Sequence, residues 1–264
     1  MRALRLAGVL AITAAAAALP PARATAQIPD HFENLQVLPK DISRDSLLAV
    51  MGGFTRALGV RCGFCHVEQP GGRPGQLLFK SDDKPEKRNA RFMMKMVDSI
   101  DHVVLVNMPM RADPPVNVTC VTCHRGLMRP TTLNAVLAAT VQRAGVDSAI
   151  AQYRMLRETT SLEGKYDFSE ATVDELAQAL GKQGKTAEAI SLLQMNQEFY
   201  PKSSQIDVLL GDLHRQRGER DAAITSYRAA LEKQPRNRQA RQALTDLGVT
   251  PPEPPPTTGR PPEY

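Results

Sequence analysis

Four cysteines occur in the 264-residue chain, and all four lie in two copies of one pattern, Cys62-Gly63-Phe64-Cys65-His66 and Cys120-Val121-Thr122-Cys123-His124. Two thiols three positions apart on one turn can add to the two vinyl groups of a single porphyrin. The adjacent His then projects beneath the macrocycle as an iron ligand, so C-x-x-C-H is the attachment pattern of c-type haem. One copy arises by chance about once in a thousand chains of this composition, and two far more rarely. Rival uses of such thiols are a thioredoxin-like redox pair, a zinc site shared between the motifs, or structural disulfides. The first needs a βαβ setting that the sequence lacks, and none of the three calls for a His at the fifth position twice.

An iron held by His needs a sixth ligand, and Met is the usual one where the task is electron transfer. For the first motif the preceding segment reads as a helix capped by Ser43, with Asp45 in its first turn and Gly59 past its end. Leu47, Val50, Met51, Phe54 and Leu58 share one face, and Met51 is the Met on it. Gly52 and Gly53 each cost a helix about 1 kcal/mol relative to Ala, and a backbone lying close to a flat porphyrin would account for them. For the second motif a helix is expected from near Pro85, after Asp82 and Asp83, to about Leu105. It aligns Met93, Met96, Val97, Ile100 and Val103 or Val104, so Met93 and Met96 are the ligand candidates and Met94 is disfavoured. Met108 and Met110 are lesser candidates. His31 and His214 read as structural or surface residues, and His102, about half a turn out of phase with Met93, as a surface residue with bis-His ligation of the second haem as the alternative.

The elements around these motifs fall into segments. Residues 1–26 read as an export signal, with Arg2 and Arg5 ahead of an apolar stretch and Ala24-Thr25-Ala26 as a cleavage site. The apolar stretch, about 14 residues, is short of the roughly 20 that a spanning helix needs. Residues 27–132 hold both cysteine motifs. Residues 133–249 carry a 34-residue period, in which Leu176, Ala177, Leu180, Ala189, Leu193 and Pro201 recur as Leu210, Gly211, His214, Ala223, Tyr227 and Pro235. That period, with small residues where helices cross, marks tetratricopeptide-like helical pairs. Ala149 and Tyr153 start a weaker unit at a 40-residue offset, the surplus forming a loop near 164–168, and residues 238–247 make a capping helix. Residues 250–264, seven of them Pro, read as an extended tail.

Charge argues against nucleic acid as a partner. The chain carries +5, losing the signal removes Arg2, Arg5 and Arg23, and two haems bring about four propionate charges, leaving the mature protein slightly acidic. The local exception is the cluster Lys84, Lys87, Arg88 and Arg91.

The run from Met51 to His66 resembles a haem segment of the photosynthetic reaction-centre cytochrome c subunit. So does Arg91-Phe92-Met93-Met94-Lys95-Met96-Val97 followed by Val118-Thr119-Cys120-Val121-Thr122-Cys123-His124-Arg125-Gly126. The resemblance spans about residues 30–130 and implies units of helix, turn and C-x-x-C-H, with each helix parallel to its haem plane. It implies Met51 as the helix ligand of the first unit and Met93 for the second, with Met96 left open by a loop of different length. Members of that family often carry four haems, whereas two motifs provide for two.

The expectation is therefore a mainly α protein, a dihaem cytochrome c domain followed by a short tetratricopeptide-like solenoid. Two covalently bound haem c groups would be attached at Cys62, Cys65, Cys120 and Cys123. Their irons would be held by His66 with Met51 and by His124 with Met93 or Met96. The protein would be an exported, periplasmic electron carrier rather than an enzyme, soluble or peripheral on the inner membrane. Its partners would be redox proteins, in a membrane reaction centre or a respiratory complex, with a further protein partner on the repeats. The rival readings are a dihaem peroxidase-like enzyme and a repeat-based adaptor.

Overall fold

Ser43 opens the first helix, its Oγ accepting the Ser46 N–H at 3.2 Å, and Gly59 closes it in the left-handed conformation at φ 66°. Helix α1 thus runs Arg44–Leu58. The structure is a computed structural model that describes residues 31–110 and 113–255. The expected export signal and the last nine residues of the proline-rich tail lie outside the described residues. The chain divides into two units, residues 1–51 with 61–113 and residues 52–60 with 114–264, the division falling within α1.

In the first unit a short hairpin follows the first cysteine motif, β1 (Val67–Glu68) pairing antiparallel with β2 (Leu77–Leu78). Two-residue strands carry no readable period, and the sequence analysis did not foresee them. Helix α2 begins at Pro85, as its fixed φ favours, but runs as an α-helix only to Ser99. Residues 100–104 widen into a π-helical turn and 105–107 tighten into a 3-10 turn, so the expected end near Leu105 holds for the helical path and not for its type. Lys84, in extended conformation, is the N-cap residue of α2. Leu47 is the one buried apolar residue among those described in this unit, and α2 has none.

In the second unit, α3 (Cys120–His124) is a single helical turn. Then come α4 (Leu133–Ala144), α5 (Val146–Thr160), α6 (Glu170–Lys182), α7 (Thr186–Phe199), α8 (Ser204–Gln216), α9 (Arg220–Lys233) and α10 (Arg238–Asp246). Helix α4 pairs with α5, α6 with α7, α7 with α8, α8 with α9 and α9 with α10, and α4, α6 and α8 also pack side by side, the arrangement of stacked helical repeats. The small residues are where close crossing demands them: Ala149, Ala177, Ala189 and Ala223 are fully buried, and a Cβ on Gly211 would lie 2.5 Å from the Tyr227 ring. The 40-residue offset of the first pair is taken up by residues 161–169. Arg157 holds that loop, donating to the Tyr153 hydroxyl at 2.7 Å and the Phe168 carbonyl at 3.1 Å, with its guanidinium 4.6 Å above the Phe199 ring. Among the described residues no helix is long and apolar enough to cross a membrane.

Candidate haem-attachment sites

The first motif leaves an extended Arg61 and closes one 3-10 turn over Cys62–Phe64. The Cys62 carbonyl accepts the N–H groups of both Cys65 (3.2 Å) and His66 (3.1 Å), so both thiols and the imidazole leave a single turn. Cys62 is exposed and Cys65 half-buried, and neither is in a disulfide. Val67 pairs with Leu78, and one further step of that register sets His66 opposite Phe79. The two rings meet edge-to-face, 4.9 Å apart at 67°. Lys84 Nζ donates to the Gly63 carbonyl inside the motif. Burial, reinforced by the positive charges of Lys87, Lys84 and Arg91, brings the His66 imidazole down to about 4. The ring is therefore neutral at pH 7, the form an iron ligand requires. Its Nδ1 is buried and has no hydrogen-bond partner among the described residues.

The second motif is built differently. Thr119 is extended, and the Thr122 hydroxyl accepts its N–H at 3.0 Å, starting α3. Arg125, at φ 48°, and Gly126, at φ 82°, then turn the chain out of the helix. That turn brings the Leu127 carbonyl to 2.9 Å from His124 Nδ1. Nδ1 donates there, which leaves Nε2 with the free lone pair, the arrangement of metal-ligating histidines generally. Burial pushes the Cys65 and Cys120 thiols up, so both stay protonated at neutral pH. The Gly126 N–H also reaches the Ala57 carbonyl at 2.8 Å. The end of α1 and the turn after His124 touch so closely that a Cβ on Gly59 would lie 2.2 Å from the Gly126 carbonyl oxygen.

Met51 sits half-buried on α1. A Cβ on the neighbouring Gly53 would meet nothing within 4 Å, and one on Gly52 only Arg56 Nη1 at 3.2 Å. No polypeptide contact therefore explains either glycine. On α2 the half-buried residues are Glu86, Lys87, Ala90, Arg91, Met94 and Val97, whereas Phe92, Met93 and Met96 are exposed. Met93 and Met96 are open to about the same degree, 44% and 41%, so exposure does not choose between them. Met108 and Met110 are also exposed, and His102 is an exposed partner of Asp98 at 3.0 Å.

The cluster Lys84, Lys87, Arg88 and Arg91 is consumed within its own unit rather than displayed. Lys87 and Arg91 pair with Asp82 at 3.1 and 2.8 Å, and Arg88 donates to the Asp82 carbonyl at 2.6 Å. Sequence reasoning took Asp82 as a helix-start residue and missed both this role and Phe79. Their partners are scattered from residue 34 to residue 91, and no short pattern links them.

The residues present fit covalent haem. Each motif offers two free thiols and one imidazole on one turn. A Cβ on Gly53 would meet nothing and one on Gly52 only the end of the Arg56 side chain, and among the described residues of the first unit Leu47 is the one buried apolar side chain. The family profile described as photosynthetic reaction centre cytochrome C subunit matches residues 9–183. The chain belongs to that family. Membership makes it a cytochrome of electron-carrier type with covalently bound haem, and the match extends beyond the cysteine motifs through α4, α5 and the whole of α6. A tetratricopeptide repeat profile matches residues 208–239, covering most of α8, all of α9 and the first residues of α10. No curated protein matches the chain significantly. Among solved structures, the first tetratricopeptide domain of Spaghetti (RPAP3), bound to the HSP90 peptide SRMEEVD, is 17% identical. That match covers 44% of this chain and 87% of that one, with a TM-score of 0.31.

Proposed function

We propose that this reaction-centre-type cytochrome is an exported dihaem electron carrier. Cys62 and Cys65 would bind one haem and Cys120 and Cys123 the other, each thiol hydrogen and sulfur adding across a vinyl group to form a thioether. His66 and His124 would ligate iron through Nε2, with Met51 as the opposite ligand of the first haem. Met93, with Met96 as its alternative, is the sequence-based choice for the second. When bound, haem iron supplies a one-electron ferric/ferrous couple. The polypeptide's own work is to hold the His66 imidazole neutral, fix the orientation of both rings and exclude water. Thioether sulfur as a ligand raises the potential, which suits a carrier handing electrons to a strongly oxidising acceptor. The leader-like residues 1–26 support delivery to the periplasm, where a peripheral place on the inner membrane would bring it to a reaction centre or a respiratory complex. The helical repeats would supply a protein-binding surface.

The observation that carries this reading is the recurrence of two free thiols and a His on a single turn in two separate places. Potentiometric titration of the matured full-length protein tests it. Two reversible one-electron steps, low-spin iron throughout and no carbon monoxide binding are expected. High-spin iron that binds carbon monoxide or peroxide at either site would contradict it.

A further inference from the structure

The two histidines are held in different ways. His124 is fixed by its Nδ1 bond to the Leu127 carbonyl, whereas His66 Nδ1 has no hydrogen-bond partner among the described residues. The His66 ring does pack against the Phe79 ring, in a T-shaped contact with centroids 4.9 Å apart. Phe79 is itself fixed, because Lys87 Nζ donates to its carbonyl at 2.7 Å and to the Ser81 carbonyl at 2.7 Å.

Lys87 is held in turn by Asp82 at 3.1 Å. The Asp82 carboxylate also accepts from Asn34 Nδ2 at 2.9 Å, Gln36 Nε2 at 3.2 Å and Arg91 Nη1 at 2.8 Å. Arg91 and Asn34 close the loop, with Arg91 on the Asn34 carbonyl at 3.3 Å and Asn34 Nδ2 on the Lys80 carbonyl at 2.6 Å. One carboxylate thus ties three segments together, 34–36, 79–82 and the start of α2. The Lys87 and Arg91 side chains are only 12% and 15% exposed, so these pairs are better shielded from solvent than ordinary surface ion pairs. Arg91 and the other donors hold the Asp82 carboxyl well below the usual carboxylate range.

We propose that Asp82, Lys87 and Phe79 form a clamp that sets the rotation of the His66 imidazole about its bond to the first haem iron. Asp82 and Lys87 are positioning residues in this scheme, acting through Phe79. The inference rests on the haem reading above and deepens it. An imidazole without an Nδ1 bond rotates about the metal–nitrogen axis unless its ring faces are packed. Its rotation decides how the ring π-system overlaps the iron d orbitals, and so the magnetic anisotropy of the ferric ion. The hairpin is the lever, since its register brings residue 79 to residue 66.

The test uses the matured full-length protein and four variants, Lys87→Met, Asp82→Asn, Lys87→Arg and Phe79→Leu. Intact mass first establishes that the unsubstituted protein carries haem, and an unloaded protein would defeat the underlying reading rather than the clamp. Low-temperature electron paramagnetic resonance then reads each ferric haem separately. Lys87→Met and Asp82→Asn are expected to shift and broaden the g values of one haem in the same sense, although they change charge in opposite senses. The other haem should not change, and Lys87→Arg should return the original spectrum. Phe79→Leu should give the same shift with every charge in place, which keeps the test open if a charge variant does not accumulate. Unchanged g values in Lys87→Met, Asp82→Asn and Phe79→Leu would overturn the proposal, even with a lowered melting temperature. So would potentials that move in opposite directions, following charge, at constant g values.

Discussion

In the proposed ligation Met51 and the two histidines would divide the work of holding iron, and the division can be tested one residue at a time. Replacing Met51 with Ala leaves Cys62, Cys65 and His66 in place, so the haem should remain attached. The sulfur-to-iron charge-transfer band of that site should disappear and its potential should fall, because a thioether ligand favours the ferrous state. An unchanged band would place the ligand elsewhere. At this scale the sequence is readable wherever chemistry compresses the site into contiguous residues. Thioether attachment needs two thiols and an imidazole on one turn, so the types and spacing at Cys62–His66 and Cys120–His124 announce themselves. The groups that orient the imidazoles do not. The Leu127 carbonyl is backbone and carries no residue signature, and Asp82 gathers partners from residues 34, 36, 87 and 91.

Among the elements, α1 has two jobs, carrying Met51 and ending against the turn that follows His124. Gly59 makes the second possible, since it has φ 66° and a Cβ there would sit 2.2 Å from a backbone oxygen that cannot swing aside. Gly59→Ala should therefore destabilise the protein by about 3 kcal/mol, combining left-handed strain with a backbone clash. Gly126→Ala should cost only about 1 kcal/mol, because the atom it meets, at 3.0 Å, is Cε of the flexible Lys165 side chain. Denaturant titration of the two variants checks the order, and equal stabilities would show that the close contact does not form. Helices were legible wherever a period repeats, which is how 34 residues between Ala189 and Ala223, both fully buried, located α7 and α9. The hairpin was illegible because two residues per strand cannot display alternation. The change of α2 into a π turn at Ile100 has no marker such as Gly or Pro to signal it.

Across the whole molecule the two halves differ in what stabilises them. The helical repeats bury two apolar clusters, one running from Leu133 to Leu213 and one from Val208 to Leu244, whereas the unit carrying the first motif buries Leu47 alone among its described apolar residues. Burial of apolar area is the main term opposing chain entropy, so a haem bound as proposed at Cys62 and Cys65 would supply the first unit with apolar contact that its own described residues do not. The repeat core also contains a charged group under strain. Asp174 on α6 accepts from Asn196 at 3.0 Å, yet burial raises its carboxyl to about 6. Between about pH 4 and 6 the folded protein keeps a proton that the unfolded chain has released. Stability from this group therefore falls as pH rises through that window and stays lower above it. Asp174→Asn, which keeps the Asn196 bond and removes the charge, should match the parent near pH 4 and exceed it by about 2 kcal/mol at pH 7. A stability difference that does not vary with pH would contradict this.

The central claim is that two porphyrins are joined to this polypeptide by sulfur. Intact mass of the exported full-length protein, with its pyridine haemochrome spectrum, addresses it directly. The account predicts a mass equal to the signal-cleaved chain plus two haems, falling by one haem in Cys62→Ala/Cys65→Ala and by one in Cys120→Ala/Cys123→Ala. A protein with the mass of its amino acids alone and no haemochrome absorption would contradict it.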